Sequence, residues 1–427
     1  MGRIREMAEQ CWSGAIEPYT CWAPTGATEE IAPGVFFLHA FANVSVIRAG
    51  DGLVLVDTSS EAARDRTFAA VRAIDPAPVR GAIYTHGHAD HAFGLPPFLA
   101  EATEKGWPRP RIAAHRDVAA RFDRYRATAG YNTLINARQF SRAPRWPTEY
   151  VYPDTTYERT LRFEADGLGL DLEHARGETD DHTWLWWPER RVLWTGDLFL
   201  WVAPNAGNPQ KAQRYAPEWA AALRVMAERE ATLLIPGHGP PIFGAERVRQ
   251  ALGETAEWLE ALVSQTLALM NAGATLEQVV REVRPPARLA ERPYLRAVYD
   301  EPEYVVRNLW RLYGGWYDGA PAHLQPASTA ALAGEVAALA GGVAGLVARA
   351  RAVAAEGRLD VASHLIDWAA AVAPADRKVH AARAQIYERR AAAAHALMTR
   401  GIFSAAARES AAKSSPLRGE GQGGEGW

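Results

Sequence analysis

Cysteine is nearly absent from this chain: its 427 residues hold two, Cys11 and Cys21. So few thiols exclude a disulfide-dense scaffold and a Cys-rich structural zinc site. The pair reads as two free thiols in a reducing compartment, with a Cys11–Cys21 bridge as the other reading. Long apolar runs are missing too, none approaching the ~20 residues of a membrane span. The opening MGRIREMAEQCWSG has basic residues but no apolar stretch after them, which argues against a secretory signal. The expectation is a soluble, cytoplasmic protein. Nor is there an excess of basic charge. With 47 Lys and Arg against 50 Asp and Glu, the net charge of −3 gives no electrostatic reason to expect nucleic acid.

What the chain has is apolar bulk, 48% hydrophobic residues with 15 tryptophans, enough for packed interiors. Its length suggests two domains, or one domain with a helical extension. From about residue 34, short β-branched and aromatic runs such as VFFLHAF, NVSVIRA and GLVLVDT alternate with turn signals. A helix-like run covers 61–74, GAIYTH and RIAAH are strands ending on histidine, and TWLWWPERRVLWTGD reads as a hairpin. Strands alternating with helices predict a layered α/β domain over 25–265. From about 246 the pattern turns helical, with Leu and Ala at three- and four-residue spacing, giving a helical domain over 266–410. The segment 411–427 has almost nothing to bury and is expected to be a disordered tail.

The strongest chemical signal is THGHADH, which sets His86, His88, Asp90 and His91 at a strand end. Histidine and carboxylate suit zinc, and a curled loop lets His86 and His88 face one ion while Asp90 and His91 face another. Further candidates also end apolar strands: Asp197 in WTGDL, a carboxylate able to bridge two ions, and His238 in PGHGP. The stretch GETDDH adds Glu178, with His174 or His182 as competing ligands.

These motifs, in this order, resemble the metallo-β-lactamase fold of zinc hydrolases. In most of that superfamily the position of Glu178 carries a histidine; the alkyl sulfatase branch carries glutamate. The stretch PYLRAVYDEPEYVVRNLWRLYGGWYDGAPAHLQPAS, residues 293–328, likewise resembles the alkyl sulfatase dimerisation domain. The resemblance implies a metallo-β-lactamase αββα sandwich followed by an all-α dimerisation domain. It places one zinc on His86, His88 and Glu178, another on Asp90, His91 and His238, with Asp197 between them. Zinc is the implied metal, two ions per chain, although manganese or iron suits similar ligands. Asp90 and Asp197 are the candidate catalytic carboxylates. Two departures from the long detergent-degrading members stand out: Asp197 where those have glutamate, and no further C-terminal sterol-carrier-like domain. Both imply a shorter relative.

The implied activity is hydrolysis of alkyl sulfate esters by a metal-activated hydroxide or water. A glutamate at 178 lowers the charge of the centre, so separate cations are expected to hold the anionic substrate. Candidates in APNAGNPQKAQRY are Asn205, Asn208, Lys211 and Arg214. The amide-rich GYNTLINARQF, residues 130–140, either lips the cleft through Tyr131 or Asn132 or is a long structural loop. The aromatic stripe Trp310, Tyr313, Trp316 and Tyr317 suits packing against a core or a partner chain, and the resemblance implies a homodimer through the helical domain. The other readings are a hydrolase of a different ester, lactone or thioester, a nuclease, which the absent basic surface opposes, and a non-catalytic metal-stabilised interaction protein.

Overall fold

The computed structural model describes residues 2–140 and 146–415. Its strands are β1 (Thr28–Ala32), β2 (Val35–Leu38), β3 (Val44–Ala49), β4 (Gly52–Val56), β5 (Val79–Ile83), β6 (Arg111–His115), β7 (Thr155–Tyr157), β8 (Thr160–Ala165), β9 (Leu168–His174), β10 (Thr183–Trp187), β11 (Val192–Gly196), β12 (Leu233–Pro236) and β13 (Ile242–Phe243). Strands β1 to β7 form one sheet in chain order, antiparallel as far as β4 and parallel from there to β7. The other sheet runs β13-β12-β11-β10-β9-β8, with β11 and β12 its parallel pair. The expected hairpin closes as β10 and β11, with Trp187 opposite Val192.

The apolar runs are nearly continuous because both faces of the first sheet are covered. Val54 and Val56 point inward with Phe37, Ile47 and Ile83, meeting Phe163, Leu170, Leu172, Leu185, Trp194 and Ile235 of the second sheet. Their neighbours Leu53 and Leu55 point outward with Ala82, Ile112 and Ala114 onto Val71, Phe98, Val118 and Phe122. Those last four come from helices Arg64–Ile74, Pro96–Lys105 and Asp117–Ala127. Each fully buried Val, Leu or Phe contributes roughly 1.5–3 kcal/mol. Helices Ala216–Glu228 and Ala245–Asn271 pack together, the longer one also against β12 and β13. This is the αββα layering, with helices alone after β13 among the described residues.

The chain divides into two compact units, one built from Met1–Asn132 and Arg145–Gly319, the other from Thr133–Pro144 and Ala320–Trp427. The second unit stacks helices Thr329–Leu339, Val343–Ala355, Leu359–Val372, Arg377–Ala393 and Leu397–Ser414, its core including Leu346, Val353, Ile366, Val379 and Ile386. Helix Pro302–Gly314, which carries Trp310 and Tyr313, belongs to the first unit. The aromatic stripe is largely outside that unit's own core: Tyr313, Trp316 and Tyr317 are exposed. Among the described residues no single helix is long and apolar enough to cross a membrane.

Three expectations need correction. Cys11 and Cys21 are bonded rather than free. The helix Arg3–Ser13 ends at Gly14 in left-handed conformation, and the turn at Pro18–Trp22 returns Cys21 to Cys11, both sulfurs out of water. The free-thiol argument for a reducing compartment therefore no longer supports the cytoplasmic expectation. Residues 130–140 are not a loop but lie in the helix Ala129–Phe140, whose amides Asn132, Asn136 and Gln139 are buried at helical spacing. Residues 411–414, expected in the tail, belong instead to the helix Leu397–Ser414; residues 416–427 of that expectation lie outside the described residues. For the disulfide, closing a short loop predicts that Cys11→Ser costs about 2–3 kcal/mol of stability. Urea unfolding with and without reductant checks this: the native protein should fall to the variant's midpoint on reduction, and the variant should not respond.

Candidate metal centre

Two of the parallel strand pairs, β4–β5 and β11–β12, deliver chemistry at their C-terminal ends. In the first sheet β4 runs into Asp57, and β5 runs into the loop Tyr84–His88. In the second, β11 runs into Asp197 and β12 into Gly237 and His238. Glu178 comes from the loop joining β9 to β10. The seven expected ligands meet in two groups whose ligand atoms lie within 4.8 Å of one another: His86, His88, Glu178 and Asp197, then Asp90, His91 and His238.

Within the first group His86 Nε2 stands 2.8 Å from His88 Nδ1, and His88 Nδ1 stands 3.7 Å from Glu178 Oε2. Asp197 reaches both groups. Its Oδ2 is 3.8 Å from His86 Nε2 and 3.3 Å from His238 Nε2, and its Oδ1 is 3.4 Å from His91 Nε2. Asp90 Oδ2 lies 3.6 Å from His238 Nε2 and 3.9 Å from His91 Nε2. Asp197, Glu178, His86, His91 and His238 are buried, whereas Asp90 and His88 keep 29% and 19% of their side chains accessible. The open side of the centre is therefore that of Asp90 and His88.

The loop curls because neighbouring groups hold it. Asp57 accepts hydrogen bonds from the backbone N–H of Thr85 at 2.7 Å and from its hydroxyl at 2.8 Å, and its Oδ2 lies 2.8 Å from His91 Nδ1. Gly87 donates to Asp181 Oδ2 at 3.1 Å, and the same oxygen accepts from Arg121 Nε at 2.7 Å. A Cβ at Gly87 would stand 2.8 Å from Arg121 Cδ and 2.9 Å from that oxygen. Gly237 is under a tighter constraint, since a Cβ there would sit 2.1 Å from Asp197 Oδ1.

Electrostatics support the same picture. Burial and then the neighbouring His91, His182 and His88 hold His86 well below the usual histidine range. Burial, with Arg121 and Arg214 behind it, does the same to His88. Burial opposes charge on Asp197, but His238 and His91 hold it well below the usual carboxylate range. Burial pushes Glu178 up to about 7, against Arg214 and with the help of Asp197. Two neutral imidazole nitrogens in close approach, with Glu178 Oε2 buried and without a hydrogen-bond partner, form a donor set suited to a cation. The residues thus fit a binuclear metal site of nitrogen and oxygen ligands.

The competing histidines go elsewhere. His174 Nδ1 lies 2.9 Å from His182 O, and its ring stacks on His115 at 3.7 Å. His182 stacks beneath His86 at 4.5 Å, and its Nε2 is 3.2 Å from the Asp197 N–H.

The expected substrate residues divide. Asn205 and Arg214 both engage Glu178: Asn205 Nδ2 donates to Glu178 Oε1 at 2.5 Å, and Arg214 pairs with the same oxygen. Asn208 is buried and accepts from the Gln210 N–H through Oδ1. Lys211 lies with its Nζ 5.9 Å from the ring centre of Trp146. Its charge is disfavoured by burial and by Arg214 and favoured by Asp90 and Glu178, leaving it lowered to about 8. Tyr131 is 58% exposed on its helix.

Sequence reasoning missed four residues that support the ligands. Asp57, ending an apolar strand in VLVDT, had the same context that singled out Asp197. Arg121 and Asp181 left no local signal, because their meaning depends on meeting across 60 positions. Trp22 stacks on His238 with ring centres 4.9 Å apart, a contact that nothing near Trp22 in the sequence announces.

A binuclear His/carboxylate centre at the strand ends of an αββα sandwich is that of a metallo-β-lactamase-superfamily protein, and residues 40–238 match that superfamily. Residues 275–413 match the family described as alkyl sulfatase dimerisation. The chain belongs to the alkyl sulfatase family within that superfamily. It is similar to a linear primary-alkylsulfatase from Pseudomonas sp., 28% identical over 310 residues that make up 67% of this chain and 58% of the relative. It is also similar to an (R)-specific secondary-alkylsulfatase from Pseudomonas sp., 27% identical over 70% of this chain and 49% of that one. The chain thus spans between about half and three-fifths of the length of these curated relatives. Its fold is that of a solved stereoselective inverting sec-alkylsulfatase from Pseudomonas sp., with a TM-score of 0.80 at 23% identity, covering 92% of this chain and 66% of that one.

Removing the Asp57 carboxylate while leaving every ligand in place isolates its orienting role. Asp57→Ala is expected to weaken metal binding by roughly 10–100-fold, read by competition with a chromophoric chelator. Unchanged affinity would show that His91 needs no such support.

Proposed function

We propose that this protein is a dizinc hydrolase of sulfate esters of alkyl alcohols and works as a homodimer through its helical region. The observation that carries this reading is Glu178, a buried glutamate facing His88 where most of the superfamily carries histidine. The similarity to primary- and secondary-alkylsulfatases supports the substrate class, and the dimerisation family supports the homodimer.

His86, His88 and Glu178 would hold one ion, Asp90, His91 and His238 the other, with Asp197 between them. Bound there, the pair would supply Lewis acidity and activate water near neutral pH. The chain's own residues set where the substrate enters. The exposed edge at Asp90 and His88 is the approach, because the remaining ligands are out of water. Lys211, whose charge responds to both Asp90 and Glu178, is the cation that meets the sulfate. Asn205 and Arg214 act on the ester through Glu178, whose outer oxygen they hold. An ester, lactone or thioester of another kind is the second reading, favoured by the engagement of Arg214 with Glu178, which leaves fewer cations for an anionic substrate.

Two experiments test the reading. Zinc-loaded protein should release inorganic sulfate from a medium-chain alkyl sulfate, and Glu178→Ala should not; hydrolysis of lactones or carboxylic esters without sulfate release would transfer the protein to the second reading. Lys211 gives a pH signature. Its lowered value means that the cation is present below about 8 and lost above it. Cations bound at Asp90 and Glu178 mask the carboxylates that favour its charge, so the loss falls at or below that pH. KM for the sulfate ester should therefore rise as the pH increases through this range, and Lys211→Arg, which keeps its charge, should flatten the rise. An identical profile in the variant would remove Lys211 from sulfate recognition.

A further inference from the structure

The loop that carries Asn205 and Arg214 is fastened to the segment 300–308 at several points. Asp300 Oδ2 accepts from the Gly207 N–H at 2.8 Å, and Asn308 Nδ2 donates to Ala206 O at 2.8 Å and to Arg214 O at 3.1 Å. Gln213 Nε2 adds hydrogen bonds to Arg214 O at 2.9 Å and Asn308 O at 3.1 Å. Gly207 lies so close to this segment that a Cβ would stand 2.2 Å from Val305 N. A loop held this way keeps the Arg214 side chain where it is, 3% exposed against a Glu178 side chain that is 4% exposed.

Glu178 is thereby divided in two. Its Oε1 takes both Asn205 Nδ2 and the Arg214 guanidinium, while Arg214 also donates to Asn205 O at 2.6 Å. Its Oε2 is left without a hydrogen-bond partner on the side of His88. The outer oxygen is fully used and the inner one is aimed. A neutral histidine in this place would use one ring nitrogen as ligand and carry a proton on the other. That N–H would face the N–H groups of Arg214, donor against donor, and the guanidinium would be left buried without a counter-charge.

We infer that Asn205 and Arg214 are positioning residues for Glu178, and that the buried cation at 214 is what requires glutamate rather than histidine at 178. The inference concerns metal binding and holds whichever ester is cleaved, so its test does not depend on substrate. Histidine should become acceptable at 178 once residue 214 offers an uncharged acceptor, as the amide oxygen of glutamine does. The experiment compares native protein, Glu178→His and the double variant Glu178→His/Arg214→Gln, each stripped of metal and titrated with Zn2+ against a chromophoric chelator. Thermal midpoints of the metal-free proteins are recorded alongside.

Glu178→His should bind its weaker ion roughly 10–100-fold less tightly than the native protein and melt at a lower temperature when metal-free. The double variant should recover at least about tenfold in that affinity and part of the lost midpoint. The affinity decides. A double variant that binds no better than Glu178→His overturns the inference, as does a Glu178→His protein that binds both ions as the native one does. Should Glu178→His fail to fold, a folded double variant taking up about two ions per chain upholds the inference, and a double variant that also fails to fold overturns it. Failure of sulfate release with this rescue intact would count against the proposed substrate alone.

Discussion

Three carboxylates, Asp57 and Asp197 at strand ends and Glu178 in the loop between β9 and β10, are each at most 5% exposed, and the rest of the first unit is arranged around answering their charge. A buried carboxylate without partners costs several kcal/mol, so each must be met from a fixed direction. Asp57 is met by the Thr85 N–H, the Thr85 hydroxyl and His91. Asp197 is met by His91 and His238, and Glu178 by Asn205 and Arg214. These answers require β4 beside β5 and β11 beside β12, because only parallel neighbours bring their C-terminal ends to one rim. Glu178 Oε2 and Asp197 Oδ1 are left buried without hydrogen-bond partners, and there the protein's own groups stop and a metal ion's charge is needed.

Residues close in sequence were legible where geometry is local. THGHADH ends a strand, so the turn that follows must gather its histidines, and the spacing alone separates His86 and His88 from Asp90 and His91. The αββα layers were legible for a similar reason: alternation in GLVLVDT decides which side of a sheet each residue occupies, and a continuous run means that both sides are covered. The amide helix Ala129–Phe140 was hidden because its buried stripe is polar, Asn132, Asn136 and Gln139, and hydrophobic periodicity is blind to amides. The Cys11–Cys21 bond depended on a chain reversal that the sequence of the turn does not determine.

The role of Arg214 was illegible for a deeper reason. From sequence it is a cation after a strand-end aspartate, equally suited to a substrate anion and to a buried carboxylate. What sets it against Glu178 is its loop, fastened by Asp300 and Asn308 nearly a hundred residues away.

The pairing also changes what a glutamate does to the centre. Taken alone, replacing a neutral histidine by glutamate adds one negative charge beside the ions and makes them weaker Lewis acids. Glu178 is not alone. With Arg214 against its outer oxygen the pair is neutral overall, as a neutral histidine is, and at the distance of a substrate the two differ little in net charge. The difference is local. A carboxylate held by a guanidinium presents its negative end to the ion and its positive end outward, toward the loop that carries Lys211. Such a dipole leaves the ions' combined charge largely intact while orienting the field across the site. On the proposed reading, the centre then keeps the acidity needed to activate water and leaves recognition of an anion to Lys211.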